Sequence, residues 1–244
     1  MADIIELKNI SFSAQKRLIV RNFSFGFEEG KTTALVGPSG SGKSTILKLV
    51  AGILVPNKGT ITFRGRDVFS LDNRGILDFR REAAMVFQDS ALWANQSLFQ
   101  MLELPLRIHF PGMTMREREN RIQVVLNDVG YKRDLSIRPS QLSMGEQKLI
   151  AFARAIMCWP KMLFLDEWTE SLDDSAAQRL VQLVQRHQKE RNTVIFVSHD
   201  FRMIKNLADY VLMILGGQLF LKLSRQQMEE DDDLARYVER GIAS

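Results

Sequence analysis

The chain contains the stretch Gly37-Pro38-Ser39-Gly40-Ser41-Gly42-Lys43-Ser44, which fits the phosphate-binding pattern G-x-x-x-x-G-K-[ST]. Residues 32–36 before it read as a short buried strand, and residues 45–50 after it begin a helix. The glycines allow backbone N–H groups to point inward. These amides, the helix N-terminus and the Lys43 ammonium can bind a triphosphate, while the Ser44 hydroxyl is placed to bind magnesium. A glycine-rich turn that binds nothing is the weaker interpretation, because the strand before the loop and the helix after it are the two elements that a phosphate-binding loop requires.

Composition sets limits on the rest. At 244 residues with 45% apolar content, the chain can bury a substantial core as one domain, or as one domain plus a subdomain. The 33 basic and 29 acidic residues are spread along the sequence, which favours an ordinary solvated surface over nucleic-acid binding. The single cysteine, Cys158, has apolar neighbours and is predicted to be a small core residue in a reducing compartment.

The N-terminal residues do not resemble a targeting signal. Acidic side chains stand where a signal peptide carries basic ones. No apolar run approaches the roughly 18 residues that a membrane span needs. We expect a cytoplasmic protein unless a partner holds it at a membrane.

Strand-like and helical segments alternate as in a parallel sheet covered by helices, which predicts an α/β fold. Residues 4–10, 19–27 and 59–63 predict an antiparallel sheet beside the phosphate loop, and residues 92–159 are largely helical in pattern. Buried strands are predicted again at residues 162–165, 193–197 and 211–215.

Two carboxylates, Asp166 and Glu167, directly follow the apolar run at residues 162–165. This places both at the carboxyl edge of the sheet, where open α/β folds bind ligands. Asp166 suits magnesium binding, and Glu167 can polarise the water that attacks a γ-phosphate. The pair is weak evidence alone and strong evidence beside the phosphate loop.

Between these two elements lies Leu142-Ser143-Met144-Gly145-Glu146-Gln147. With this signature stretch, the chain resembles the ATP-binding cassette family of transporter ATPases over nearly its whole length. The matching features, in chain order, are the phosphate loop, Gln88, the signature, Asp166-Glu167, Glu170-Ser171-Leu172-Asp173 and His199.

The resemblance implies an α/β P-loop NTPase fold: an ABC-type nucleotide-binding domain with a RecA-like core, an antiparallel β subdomain and an α-helical subdomain. Residues 1–87 and 160–222 are expected to form the core with the β subdomain, residues 88–159 the helical subdomain, and residues 223–244 a C-terminal tail. It also implies ATP and Mg²⁺ as cofactors, a homodimer of these subunits, transmembrane permease partners, no nucleic acid, and a location on the cytoplasmic face of the membrane.

Site roles come from the same resemblance. The expected catalytic residues are Glu167, His199 and Lys43, and the expected magnesium ligands are Ser44, Gln88 and Asp166. The nucleotide is expected to contact Gly37, Pro38, Ser39, Gly40, Ser41, Gly42, Lys43, Ser44, Thr45 and Gln88, with Ser143 and Gly145 supplied by the opposite copy. Asp173 is expected to help build the dimer contact.

The chain departs from the family pattern at several positions. Met144 stands where glycine is usual, Glu146 where glutamine is usual, and Trp168 where a proline follows the catalytic glutamate. A proline there would fix φ, so the departure bears on how Glu167 is held. Ala14 aligns with the aromatic residue that usually stacks on adenine, which leaves the adenine contact open.

The segment after Gln88 bears on partners and substrate. In this family a groove beside that glutamine receives a short helix of a membrane subunit. Leu92, Trp93 and Phe99 follow closely, and we expect at least one of them to be exposed. Residues 87–93 and 105–107, with residues 10–12 and 234–238, look like the ATPases of the Mla/Mce lipid-transport systems. This implies phospholipid transport between bacterial membranes.

Three alternatives stay open: the ATPase of another importer or exporter, a soluble cassette ATPase acting on ribosomes or DNA, and a regulator that binds ATP without hydrolysing it. A single cassette without sustained heptads disfavours the second. Retention of Lys43, Glu167 and His199 disfavours the third.

Overall fold

A computed structural model of the chain describes residues 2–243. Its largest sheet has six strands in the order β10-β9-β3-β8-β7-β6. Their bounds are β3 Thr32–Val36, β6 Ala83–Val86, β7 Met162–Asp166, β8 Thr193–Val197, β9 Tyr210–Leu215 and β10 Gln218–Ser224. The pairs from β6 to β9 are parallel, and β10 joins β9 in antiparallel orientation. The four buried strands predicted from apolar runs are confirmed as β3, β7, β8 and β9.

A second, antiparallel sheet has four strands in the order β2-β1-β4-β5. Its strands are β1 Asp3–Ala14, β2 Arg17–Glu28, β4 Lys58–Phe63 and β5 Arg66–Asp67. The predicted antiparallel sheet is therefore confirmed, with β1 and β2 longer than the apolar pattern indicated.

Nine α-helices are found among residues 2–243. In the first half of the chain they are α1 Lys43–Val50, α2 Asn73–Glu82, α3 Leu98–His109 and α4 Met115–Val129. They continue with α5 Met144–Ile156, α6 Asp174–Lys189, α7 Phe201–Leu207, α8 Arg225–Glu230 and α9 Asp232–Ala243. Helices α3, α4 and α5 pack on one another, which confirms the largely helical segment predicted at residues 92–159.

The buried side chains form two apolar clusters. One lies between the antiparallel sheet, α1 and one face of the large sheet, and includes Phe27, Leu35 and Ile46. The other joins the opposite face of that sheet to α3, α4, α5 and α6, and includes Met101 and Phe152. The large sheet is therefore covered on both faces, as its fully buried strands require.

This topology brings three loops to one edge of the sheet. Strands β7 and β3 pair with the two sides of β8, so that Asp166 lies opposite Val197 of β8 and Leu35 lies opposite the same residue on the other side. Because the strands are parallel, the segments that follow β3, β7 and β8 emerge side by side. These segments carry the phosphate loop, Glu167 and His199.

Candidate nucleotide site

The phosphate loop leads from β3 into α1 through backbone conformations that favour glycine. Gly37 has φ +141°, and a Cβ there would lie 2.2 Å from the Ile214 carbonyl oxygen. Gly42 has φ 100°, and no side chain caps α1. Because no acidic residue occupies the first turn either, the α1 N–H groups are left for an external anion.

Lys43 is folded into this loop. Its Nζ donates hydrogen bonds to the carbonyl oxygens of Gly37 at 2.7 Å and Pro38 at 3.0 Å. Burial lowers the pKa of the ammonium, and the charges of Glu167 and Asp166 oppose that shift. The cation therefore lies at the loop, beside the two carboxylates that follow β7.

Ser44 and Asp166 are in direct contact. The Ser44 Oγ donates a hydrogen bond of 2.8 Å to Asp166 Oδ1, and Asp166 is only 1% exposed. Burial raises the pKa of Asp166, while the hydrogen bond and nearby lysines oppose that shift. The buried carboxylate charge is therefore only partly compensated by its neighbours. Mg²⁺ prefers oxygen ligands such as a hydroxyl and a carboxylate, so Ser44 and Asp166 fit that ion.

Gln88 lines a cavity together with Ser44 and Asp166, but its amide is turned to Glu170. The Gln88 Nε2 donates to Glu170 Oε2 at 3.2 Å. Its backbone oxygen accepts a hydrogen bond from the buried Lys148 ammonium. The predicted magnesium ligand is therefore close to Ser44 and Asp166, with its side chain engaged elsewhere.

Glu167 and His199 form the third part of the site. The Glu167 Oε1 and His199 Nε2 atoms are 3.1 Å apart, although their orientation is not that of a hydrogen bond. Burial raises the pKa of Glu167, and the charge on His199 opposes it. Glu167 also has φ +43°, in the left-handed region that costs energy for a residue with a side chain. A carboxylate held in this way can accept a proton from water.

An open cavity of about 740 Å³ connects these groups. At one end it is lined by Ser39, Gly40, Gly42, Lys43, Ser44 and Thr45 together with Gln88, Glu167 and His199. The other end is lined by Lys16, Arg17, Leu18, Ile19 and Arg21 of the β1–β2 hairpin and by Gly216. The predicted site residues on the phosphate side are thus brought together.

The hairpin end of the cavity was missed by sequence reasoning. None of the residues that line it there is aromatic, and Phe12 packs against the core. The available signal was the position of Ala14, which directs attention to the adjacent turn at Gln15 and Lys16, both with positive φ.

Ser143 and Gly145 lie outside this cavity of their own chain. Ser143 is the exposed N-cap of α5. Its Oγ donates to Glu146 Oε2 at 3.0 Å, and the Glu146 backbone N–H donates back to that hydroxyl at 3.2 Å. The Arg133 Nη1 donates to both Glu146 carboxylate oxygens at 3.0 Å. Gly145 is needed for close approach, because a Cβ there would lie 3.0 Å from the Ser171 carbonyl oxygen.

The remaining departures from the family pattern have different surroundings. Met144 is 71% exposed, whereas Trp168 is 1% exposed and its ring stacks on Phe152 of α5. Asp173 caps α6 by accepting a hydrogen bond of 2.9 Å from the Ala176 N–H. Cys158 is half-buried, and burial raises the pKa of its thiol to about 11.

The ABC transporter family model matches residues 20–170. The chain belongs to the ATP-binding cassette transporter family, and it is an ATPase subunit of that family.

Curated relatives within the family differ in the cargo that their names give. The chain is 34% identical over 235 residues to the intermembrane phospholipid transport system ATP-binding protein MlaF of Haemophilus influenzae. This match covers 95% of this chain and 88% of that protein. The methionine import ATP-binding protein MetN of Rhizobium meliloti is 35% identical over 199 residues, covering 81% of this chain and 55% of that protein. The nickel import ATP-binding protein NikE of Brucella suis is 33% identical over 221 residues, with 89% and 83% covered.

Solved structures agree with the fold. The dimeric, post-hydrolysis state of the ATP-binding cassette MJ0796, bound to ADP and phosphate, is similar with a TM-score of 0.83 and 26% identity. The match covers 91% of this chain and 98% of that one. Among residues 2–243, no helix combines the length and apolar character needed to cross a bilayer.

Proposed function

We propose that this chain is the ATP-hydrolysing subunit of a membrane transporter that moves phospholipid, and that it acts as a pair of copies closed by ATP. The observation that supports the proposal most is one cavity that joins the phosphate loop to Glu167 and His199, with Asp166 hydrogen-bonded to Ser44 of that loop. An ATPase needs these groups within reach of one triphosphate.

The phosphate loop binds the nucleotide through preformed donors. The uncapped α1 N-terminus offers its N–H groups and the positive end of the helix dipole to the phosphates. Residues 37–45 surround the phosphates in this proposal. Lys43 leaves the carbonyl oxygens of Gly37 and Pro38 for the β- and γ-phosphates. This exchange replaces neutral acceptors by charged ones, which strengthens each hydrogen bond.

Ser44, Asp166 and Gln88 hold the magnesium ion in this proposal. When bound, Mg²⁺ neutralises phosphate charge and stabilises the charge that develops during phosphoryl transfer. Among residues 2–243, no group of three or more His, Cys, Asp or Glu side chains is arranged to hold a metal. A site with one carboxylate, one hydroxyl and one amide suits Mg²⁺, which usually keeps waters and phosphate oxygens as its other ligands.

Glu167 and His199 handle the attacking water. Glu167 accepts its proton, and the raised pKa of this buried carboxylate brings it closer to the range in which a base is effective. His199, which is half exposed at the cavity, contacts the γ-phosphate and holds the water beside Glu167.

Each site is completed by the second copy. Ser143 and Gly145 lie at the N-terminus of α5, away from the cavity of their own chain. In a head-to-tail pair they cover the nucleotide held by the opposite phosphate loop. The dimeric state of the similar cassette MJ0796 supports this arrangement.

The membrane subunit docks beside Gln88. Trp93 is 44% exposed, whereas Leu92 and Phe99 pack partly against the core. The exposed indole borders an open groove of about 340 Å³ lined by Ile53, Phe87, Ala91 and Arg154 among others. An aromatic side chain beside an apolar groove is a typical binding hot spot.

Trp93→Ala tests this docking surface. We expect the variant to lose the membrane complex or to uncouple hydrolysis from transport, since truncating a hot spot costs about 2 kcal/mol or more. The matched control is Trp159→Ala, because Trp159 is also exposed, at 54%, and lies near Phe110 and Arg121 instead. Copurification with the membrane subunits, with ATP binding measured in parallel, separates the two variants. A Trp93→Ala chain that stays bound and coupled would exclude the docking role.

Phospholipid is the proposed cargo because a relative that is matched over 95% of this chain and 88% of its own length is named for phospholipid transport. The names of MetN and NikE support a solute importer as the second candidate. The native complex, purified through this chain and reconstituted in liposomes, distinguishes them. ATP-dependent phospholipid movement supports the first, and ATP-dependent uptake of methionine or nickel supports the second.

A further inference from the structure

Trp168 directly follows the proposed catalytic carboxylate and is held by a different part of the fold. Its side chain is 1% exposed, and its ring centroid lies 5.7 Å from that of Phe152 with an interplanar angle of 30°. Phe152 belongs to α5 and is fully buried. An offset stack between two buried rings is favourable and leaves little freedom of movement.

The turn that begins at Glu167 is strained at both ends. Glu167 has φ +43° and Ser171 has φ +67°, and neither is glycine. Such conformations persist only where the surrounding structure holds them. Within the turn, the backbone hydrogen bonds from Glu170 N–H to Glu167 and from Leu172 N–H to Thr169 are both 3.3 Å long. Local bonding is therefore weak, so tertiary contacts must maintain the turn.

Helix α5 contacts this turn at two points. Phe152 stacks on Trp168, and Gly145 approaches the Ser171 carbonyl so closely that a Cβ would lie 3.0 Å from it. A proline after Glu167, as in the usual family pattern, would restrict the backbone by itself. In this chain the restriction is supplied by a separate helix.

The same helix also contacts the loop of the proposed magnesium glutamine. Lys148 lies one turn before Phe152 on the same face of α5, and its buried ammonium donates to the Gln88 carbonyl oxygen. Arg154 donates to the carbonyl oxygens of Ser90 at 3.1 Å and Ala91 at 2.8 Å. A displacement of α5 therefore moves both the Gln88 loop and the turn that carries Glu167.

We infer that Phe152 and Trp168 are positioning residues. When the α5 N-terminus contacts a nucleotide, they carry the resulting movement of α5 to Glu167 of the same chain and so place its carboxylate. The inference rests on the proposed function, in which the α5 N-terminus covers the nucleotide of the opposite copy. ATP bound by one copy would thus place the catalytic carboxylate of the other. Hydrolysis at the two sites is coupled through a contact between two aromatic rings.

The test uses two full-length copies joined by a flexible linker, so that pairing does not depend on nucleotide affinity. The second copy carries Glu167→Gln, which confines turnover to the first copy. It is prepared with and without Lys43→Ala and assayed at an ATP concentration between the affinities of the native and the Lys43→Ala site, so that its own site is either mostly empty or mostly filled with ATP. The coupling is measured as a ratio: first-copy turnover when the second site is filled, divided by first-copy turnover when that site is empty. We expect at least about fivefold, the low end of usual coupling.

Phe152→Leu in the first copy should bring this ratio close to one. The matched control is Phe79→Leu, because Phe79 is an equally buried phenylalanine in the other apolar cluster. The control should keep the ratio, since general loss of packing affects both forms of the pair alike. Trp168→Phe retains a stacked ring and should keep most of the coupling. Trp168→Pro should lose it, and it tests the same contact if Phe152→Leu does not fold.

Three results would overturn the inference: a ratio of one when the first copy has native Phe152 and Trp168, an unchanged ratio in Phe152→Leu and Trp168→Pro, or an equal loss in the Phe79→Leu control. The proposed function is judged separately by nucleotide binding and turnover of the unmodified pair. If ATP is neither bound nor hydrolysed there, the proposed function itself fails.

Discussion

The N-termini of α1 and α5 are both placed against phosphate in the proposed function, yet the two helices begin in opposite ways. Helix α1 follows Gly42 in the left-handed conformation, with no side-chain cap and no acidic residue in its first turn. Helix α5 begins with a complete capping box between Ser143 and Glu146. The Arg133 guanidinium binds the same carboxylate.

Helix α1 therefore offers a preformed anion site, whereas at α5 the hydrogen bonds of the capping box must break before an anion can bind. At α1 no side chain caps the N–H groups and no acidic residue of the first turn offsets the helix dipole, so an anion gains both interactions. At α5 the Ser143 hydroxyl is already hydrogen-bonded, and the Glu146 carboxylate repels phosphate. One chain should therefore bind ATP alone, whereas closure around a second chain's ATP requires the capping box to rearrange.

Glu167→Gln gives the largest expected effect at the α1 half of the site. ATP binding should persist while turnover falls by about 10²–10⁴-fold, because the neutral amide cannot accept the proton of the attacking water. Phosphate release under saturating ATP, with binding measured by calorimetry, checks both expectations. Normal turnover in this variant would remove Glu167 from the mechanism.

Lys43→Ala tests whether the α1 end is the primary anion site. Loss of an ammonium that faces the phosphates should weaken ATP binding by about tenfold to a hundredfold, as for a lost charged hydrogen bond. Calorimetry on the isolated chain measures this directly. An unchanged affinity would contradict the phosphate-loop assignment.

Glu146→Gln should instead strengthen ATP-driven pairing, by about twofold to fivefold per site, because it removes a negative charge from a helix N-terminus that faces phosphate. Its amide oxygen can still accept the hydrogen bonds of the cap. Glu117→Gln is the control, since Glu117 forms an equivalent capping box with Thr114 on α4. Sedimentation in the Glu167→Gln background compares the two. Equal effects would show that the change is unrelated to the α5 end.

Arg133→Ala should act in the opposite direction and most weakly, reducing pairing by about twofold, as expected for an exposed ion pair. It leaves the Glu146 carboxylate without its cation, so phosphate is repelled more strongly. Adding Glu146→Gln to this variant should cancel the loss, since no carboxylate then remains. A loss that persists in the double variant would mean that Arg133 acts by another route.

The sequence predicted most of the α1 half because its chemistry is local. The order of glycines, Lys43 and Ser44 fixes the turn and the helix start, and the apolar runs before them and before Asp166 identify the strands. The structure adds what local pattern cannot show: Lys43 binds the carbonyl oxygens of its own loop, and Ser44 binds Asp166 across 122 residues of chain.

The α5 half was predicted less completely because its properties depend on distant residues. Ser143 and Gly145 were expected at the nucleotide of the opposite copy, but the capping box between Ser143 and Glu146 was not predicted, and neither was the contact with Arg133, which lies 13 residues before Glu146. The departure at Trp168 was visible in the sequence, whereas its stack on Phe152 requires the tertiary fold. The hairpin end of the cavity was missed because Lys16, Arg17 and Leu18 match no motif.

The central claim is that each nucleotide site is built from two copies of the chain. It is tested most directly by mixing two versions of the Glu167→Gln protein, both with Cys158→Ser, one carrying Ser39→Cys and the other Ser143→Cys. Any disulfide between the two new cysteines then joins different copies. We predict that oxidation yields covalent dimers with ATP and far fewer without it. Absence of such dimers, or equal amounts with and without ATP, would contradict the account.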